Sequence, residues 1–176
     1  HFQSTPTEGQ LSQLTDLLRP FGVLRFMNWQ RTNGSGVRAA ADLPTMIASA
    51  RGAWHSFSGV PIRDCIAFAN RCNARPWVCV PHLATAETIR WMVAEVMLTA
   101  IHRPIFEFSN ELWNDFFVQG KAAPSLGGVG WQIDQTRLIQ REVAGAADVV
   151  LCGQFWRPEA VLAMTEMAAD PSIFIG

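Results

Sequence analysis

Hydrophobic positions along this chain change period several times, and the changes divide it into alternating helices and strands. Leu11, Leu14, Leu17 and Leu18 recur at helical spacing, so a helix is predicted over 9–18, ended by Pro20. Residues 22–29 read as a strand with Arg25, Met27 and Trp29 on one face by parity. Residues 30–58 keep no period and read as a long loop with one short helix near 43–50. A helix follows over 61–72, with a proline in its first turn and Ile62, Ile66 and Ala69 on one side. Then come a strand over 76–82, a helix over 85–101 capped by Thr85, and a strand over 105–109. Residues 112–130 are irregular and glycine-rich. The remainder reads as helix 132–146, strand 148–154, helix 158–168 and strand 172–175.

Strands that alternate with helices of this length imply parallel pairing through right-handed crossovers. Their continuous apolar runs fit strands covered on both faces. The segments after strands are long and rich in Trp, Asn and Gly, whereas those after helices are short. That asymmetry fits an α/β fold of the (β/α)-barrel type, with its site at the C-terminal ends of the strands. Periodicity leaves open whether the arc closes. No GxGxxG follows a strand and no GxxxxGK[ST] occurs, which disfavours a Rossmann or P-loop domain.

Composition narrows the picture. A chain of 176 residues can build one domain with a substantial core, and a net charge of −1 gives no electrostatic case for a nucleic-acid partner or an anionic membrane surface. No apolar run approaches the roughly 20 residues of a membrane-spanning helix. Cys65, Cys72, Cys79 and Cys152 form no CxxC pair. Two helical turns hold Cys65 and Cys72 about 10 Å apart, too far for a disulfide, so packed thiols are expected. Seven tryptophans and eleven phenylalanines occur with no tyrosine, and several tryptophans lie in polar stretches where core packing explains them less well.

The polar residues at strand ends are the candidate chemistry: Arg25, Asn28 and Trp29 on the first strand, His82 on the second, Asn110 and Glu111 on the third, Gln154 on the fourth. Parallel strands would gather them above one end of the sheet. A carboxylic acid, amides and indole faces suit sugar chemistry: the acid can protonate a glycosidic oxygen, amides can hold hydroxyls, and indoles stack on pyranose rings. Asn110 or Asn114 as a simple helix cap is the structural alternative.

Arg25, His82 and the Asn110-Glu111 pair, in that order on successive strands, resemble the pattern of clan A glycoside hydrolases, the retaining (β/α)8-barrel enzymes that include family 5 cellulases and mannanases. The stretches 25–29 and 107–114 also resemble uncharacterised bacterial proteins of that kind, often multidomain and secreted. The resemblance covers the whole chain. It implies a partial (β/α)8 (TIM) barrel spanning about strands two to six, a single incomplete domain over 1–176 within a longer chain, with the glutamate nucleophile beyond Gly176. It implies Glu111 as general acid/base, a role that calls for a raised pKa. Asn110 would hold the sugar 2-hydroxyl. Arg25 and His82 would give electrostatic support, Trp29 and Trp113 stacking, and Asn28 and Gln154 further substrate contacts. It also implies a carbohydrate substrate, no cofactor or metal, and an extracellular or periplasmic location; it leaves oligomeric state and sugar identity open.

Glu142, Glu159 and Glu166 fall on helix faces directed to solvent. Glu107 shares parity with Glu111 but lies about 13 Å down the strand, so it is expected to be a buried carboxylate paired with Arg25 or backbone donors. Two other classes compete. One is a barrel that binds carbohydrate without cutting it. The other is a (β/α)8 hydrolase or lyase that uses a metal, for which His82 and Glu111 alone are a thin ligand set, with no HxH or HExxH present. Exposed strand edges at both ends of such an arc predict poor solubility for this chain by itself.

Overall fold

Among the described residues five parallel strands, taken in the order in which the chain makes them, form one sheet: β1 Val23–Arg25, β2 Arg75–Val80, β3 Ile105–Phe108, β4 Asp148–Leu151 and β5 Ile173–Ile175. The computed structural model describes residues 7–43 and 59–153, together with 161, 162, 164, 166 and 173–175. The helices are α1 Glu8–Leu18, α2 Ile62–Arg71, α3 Ala86–Thr99, a short α4 Val118–Ala122 and α5 Gly128–Val143. The protein is thus an α/β protein whose strand order never reverses. An order that runs one way, with right-handed crossovers, sends every connecting helix to the same face of the sheet.

Side-chain alternation along the strands shows which face that is. Val78, Val80, Phe106, Phe108 and Val149 pack with Ile66, Ile89, Met92, Val96, Ile139 and Val143 from α2, α3 and α5. Leu24 and Phe26 pack with Cys65, Phe68, Ala69 and Cys72 of α2 in a second cluster. The odd-numbered residues of β2 and β3 therefore point the other way. The register sets Arg25 beside Trp77 and Cys79 beside Glu107 on that opposite face. All four cysteines are free, Cys65, Cys72 and Cys79 being buried.

Local chemistry sets the element ends. Thr7 and Gln10 close a reciprocal capping box on α1, and the Thr85 hydroxyl accepts the N–H of Thr88 at the start of α3. Glu95 of α3 is 7% exposed and takes a fork from Arg63 of α2 at 2.6 and 2.8 Å, which ties two neighbouring helices together.

The sequence expectations need correction in places. The first strand ends at Arg25, and residues 27–31 turn instead, so Asn28 and Trp29 are not strand residues. The Gln30 side chain accepts the Cys79 N–H at 3.0 Å, an acceptor role that a longer β1 would give to a backbone carbonyl. Residues 112–130 are not wholly irregular either: they hold α4, a 3-10 turn Ala123–Leu126 and the start of α5. Among residues expected to form a helix near 43–50, those from 44 onward lie outside the described residues, as does Gln154; residues 161, 162, 164 and 166 are helical, within the helix expected over 158–168.

At the N-terminal ends of the strands, Asp148 lies between two cations. Arg103 donates to it at 2.8 Å, and Arg75 forms a second ion pair with it. Partial burial pushes the carboxyl up, but the hydrogen bonds from Arg103 and Arg75 outweigh it and hold Asp148 below its ordinary value. A lowered carboxyl pKa contributes stability in full above the unfolded-state value of about 3.9 and loses it as pH falls through the folded value. Acid titration of folding below about pH 4 should therefore be flatter for Asp148→Asn than for the parent, and the variant should be less stable at neutral pH. Equal acid slopes by circular dichroism would contradict this.

Candidate functional site

The face of the sheet away from the helices carries a buried polar network centred on Glu107, which is 1% exposed. Arg25 grips it with a fork: Nε donates to Oε2 at 3.0 Å and Nη2 reaches both oxygens at 2.7–2.8 Å. The Trp77 indole N–H donates to Oε2 at 2.9 Å, and the Cys79 thiol donates to the same oxygen at 3.5 Å. The Arg25 guanidinium also lies over the Trp77 ring, 5.2 Å from its centroid. A buried carboxylate demands this number of donors. Burial, with Glu107 beside it, raises the Cys79 thiol well above its usual range, so it is held protonated as a donor.

From this layer the network climbs to the strand ends. Arg25 Nη2 donates to Asn110 Oδ1 at 2.9 Å, and Asn110 Nδ2 donates to Asn33 Oδ1 at 2.8 Å. Gln119, wholly buried, closes the ring: its Nε2 donates to Asn33 Oδ1 at 2.6 Å and to the Asn110 carbonyl at 3.0 Å, while its Oε1 accepts the Gly34 N–H at 2.9 Å. The loop after β1 and the segment after β3 are thereby locked over the end of the sheet. Asn110 is 3% exposed with both ends of its amide engaged.

Glu111 follows, half-buried, its Oε2 accepting from Asn114 Nδ2 at 2.8 Å. Asn114 Oδ1 in turn accepts the Phe116 N–H at 3.0 Å. The backbone here is unusual: Ser109 and Glu111, on either side of Asn110, both have positive φ, 64° and 45°. Residues other than glycine rarely take this conformation, at a cost of roughly 1–2 kcal/mol each, and such outliers cluster at sites of function. From Leu112 onward the chain borders a cleft of about 610 Å³, lined by Trp113, Asn114, Asp115, Val129, Gln132 and Cys152 among others. Trp113 is 42% exposed and offers its ring to that cleft. Gln132 Nε2 donates to the Cys152 carbonyl at 2.8 Å. Burial first, then Glu107 nearby, push the Cys152 thiol up to about 12, although the Glu111 N–H acts the other way.

The remaining expected site residues are elsewhere. His82, 3% exposed, lines a different cleft of about 530 Å³ together with Arg38, Arg90, Trp131 and Arg141. Trp29 packs on Phe26 and Phe68, with ring centroids 5.5 and 5.1 Å away, on the helix side of the sheet. Asn28 is exposed in the turn after β1. So the structure joins Arg25 to Asn110 and keeps Glu111 bonded to Asn114, a residue of the cleft that Trp113 lines, but it separates His82 and Trp29 from them. Glu142 is exposed and bonded to Arg90, and Glu166 is exposed.

Residues that pattern reading did not single out include Trp77, Cys79, Asn33 and Gln119. The first two were accessible from parity, since 77 and 79 alternate with the core positions 78 and 80. Asn33 and Gln119 meet Asn110 across 77 and 9 residues, and no local signal marks them. Among the described residues no group of three His, Cys, Asp or Glu side chains could hold a metal ion, and no helix is long and apolar enough to cross a membrane. Comparison with protein-family models, with curated proteins and with solved structures finds no match.

Proposed function

We propose that this chain contributes the acid/base side of a retaining glycoside hydrolase built on a (β/α) barrel, with Glu111 as the proton donor to the leaving glycosidic oxygen. The observation that carries the reading is the end of β3: a strained Ser109–Glu111 turn pinned from below by Arg25 and from the side by Gln119, with a half-buried carboxylate at its tip. Unreversed strand order supports the barrel, since each right-handed crossover advances the sheet in one direction, as a closing barrel requires. Glu111 protonates the departing oxygen and then takes the proton from the attacking water. Asn114 orients the carboxyl. Asn110, already bonded at both ends of its amide, is a positioning residue that fixes the turn carrying Glu111. Trp113 is the stacking face for a sugar ring in the adjoining cleft.

A retaining mechanism needs a second carboxylate about 5–5.5 Å from the first. Glu107 cannot serve, because Arg25, Trp77 and Cys79 occupy it. On this reading the nucleophile comes from outside the described residues. That occupancy of Glu107 also favours a second reading, a barrel that binds carbohydrate without cleaving it. One experiment separates the two. In the full gene product, Glu111→Ala should lower kcat/KM on glycosides with poor leaving groups by roughly 10²–10⁴-fold and much less on dinitrophenyl glycosides, whose turnover is then held back by slow hydrolysis of the glycosyl-enzyme. Azide should restore turnover on the latter and yield a glycosyl azide. Loss independent of the leaving group, with no azide adduct, would remove Glu111 from the acid/base role. Oligosaccharide binding with no hydrolysis by the parent protein would establish the second reading.

A further inference from the structure

The cleft that holds His82 lies between the 82–86 loop, the first turn of α3 and one face of α5, apart from Glu111. Its lining includes three arginines, Arg38, Arg90 and Arg141, against one carboxylate, Asp134. Arg90 is bonded to Glu142 at 2.9 Å, and Asp134 lies 3.8 Å from Arg137. Arg38 and Arg141 form no salt bridge among the described residues. Arg38 and Arg141 thus line one concavity without a direct ion pair, although Asp42 lies close enough to Arg38 to feel its charge.

A second observation is independent of the arginines. His82 is 3% exposed, yet its Nδ1 has no hydrogen-bond partner among the described residues. A buried polar atom left without a partner costs about 1–3 kcal/mol, and native folds retain few. Burial, and then the charge of Arg38, lower the histidine pKa, which favours the neutral ring. Thr85 and Ala86, at the N-terminus of the 14-residue α3, complete the wall with the positive end of the helix dipole. The volume, about 530 Å³, is that of a small-molecule site. Trp131 and Leu138 add an apolar side to the wall.

We propose that this cleft is a binding site for a small oxyanion-bearing molecule, a phosphate ester or a carboxylate with an apolar or sugar body, held by Arg38 and Arg141 and seated against His82 and Trp131. Both groups match the planar donor fork of arginine. A bound anion would offset the charge of Arg38 and supply the acceptor or water bridge that the imidazole lacks. The proposal stands independently of the glycosidase reading, because none of its residues belongs to the Glu111 corner.

The test uses the chain in chloride buffer at pH 7.5 and constant ionic strength, titrated with inorganic phosphate, phenyl phosphate and glucuronate while the thermal midpoint and tryptophan fluorescence are read. Saturable stabilisation at millimolar ligand is expected. Arg38→Gln and Arg141→Gln should each weaken it by about ten-fold, the loss of one charge-assisted hydrogen bond. Arg19→Gln, exposed in the turn just after α1 and outside the lining of the cleft, should not. Tighter binding of phenyl phosphate than of glucuronate assigns a phosphate ligand; the reverse order assigns a carboxylate. Responses that fail to saturate, or that are the same in the Arg38, Arg141 and Arg19 variants, overturn the proposal. His82→Gln is a further variant, and if it does not fold, the two arginine variants still decide.

Discussion

Replacing Glu107 with alanine should cost about 3 kcal/mol of stability, read in urea as a lower midpoint at unchanged slope. The cost does not come from losing an attraction alone. Removal of the carboxylate strands Arg25, the Trp77 N–H and the Cys79 thiol without their common acceptor. Breaking a buried pair typically costs about 3–5 kcal/mol; the Arg25 side chain is one-third exposed, which lets water recover part of it and sets the expectation at the lower end. Glu107→Gln keeps one acceptor oxygen and the shape, so it should cost roughly half as much. The double variant Arg25→Met, Glu107→Leu should regain part of the loss, since it leaves no uncompensated charge, although the Trp77 N–H and the Cys79 thiol still lack their acceptor. A double variant no more stable than Glu107→Ala would mean that the pair contributes through something other than mutual compensation. The same substitutions bear on the site, because Arg25 also holds Asn110; the Ser109–Glu111 turn should loosen in Glu107→Ala before the sheet unfolds.

Gly120→Ala is the second large effect, and its sign separates two physical terms. Gly120 lies in α4, where alanine is favoured over glycine by about 1 kcal/mol on helix propensity. A Cβ there, however, would sit 1.9 Å from the carbonyl oxygen of Asn114 and 2.4 Å from its carbon. Backbone cannot move aside as a side chain does, so overpacking, about 1–3 kcal/mol or more, outweighs propensity. A fall in Tm of about 5–10 °C is expected for a domain of this size. Gly130, in the first turn of α5, is the control: a Cβ there meets nothing within 4 Å, so Gly130→Ala should raise stability by about 0.5–1 kcal/mol. If both substitutions stabilise, the packing of α4 against Asn114 is wrong. Because Gln119 precedes Gly120 and anchors Asn33 and Asn110, a displaced α4 should also disturb the Glu111 corner.

Glycines 120, 127, 128 and 130 explain why residues 112–130 read as irregular. Glycine lowers helix propensity wherever it occurs, so a local reading discounts the helix. In the folded chain Gly120 is the residue that lets α4 touch the 114–115 backbone, a reason that exists only once the two segments have met. The first strand erred in the opposite direction. Its apolar run continues through Trp29, but the Gln30 side chain accepts the Cys79 N–H, and the chain turns at 27–31.

The sequence by itself determined the alternation of helices and strands, their parallel sense and the burial of Glu107, because periods of 3.6 and 2 are properties of short segments. It also put Arg25, Asn110 and Glu111 at the C-terminal end of the sheet, since the last residues of parallel strands share one edge. Only the tertiary structure decided which of those residues meet. The direction of a side chain after its strand has ended depends on the turn that follows: His82 went to the α3–α5 cleft and Trp29 to the helix side of the sheet, while Glu111 remained bonded to Asn114. The clamp that holds the corner, Asn33 and Gln119, depends on contacts between segments far apart in the chain, where hydrophobic periodicity carries no information.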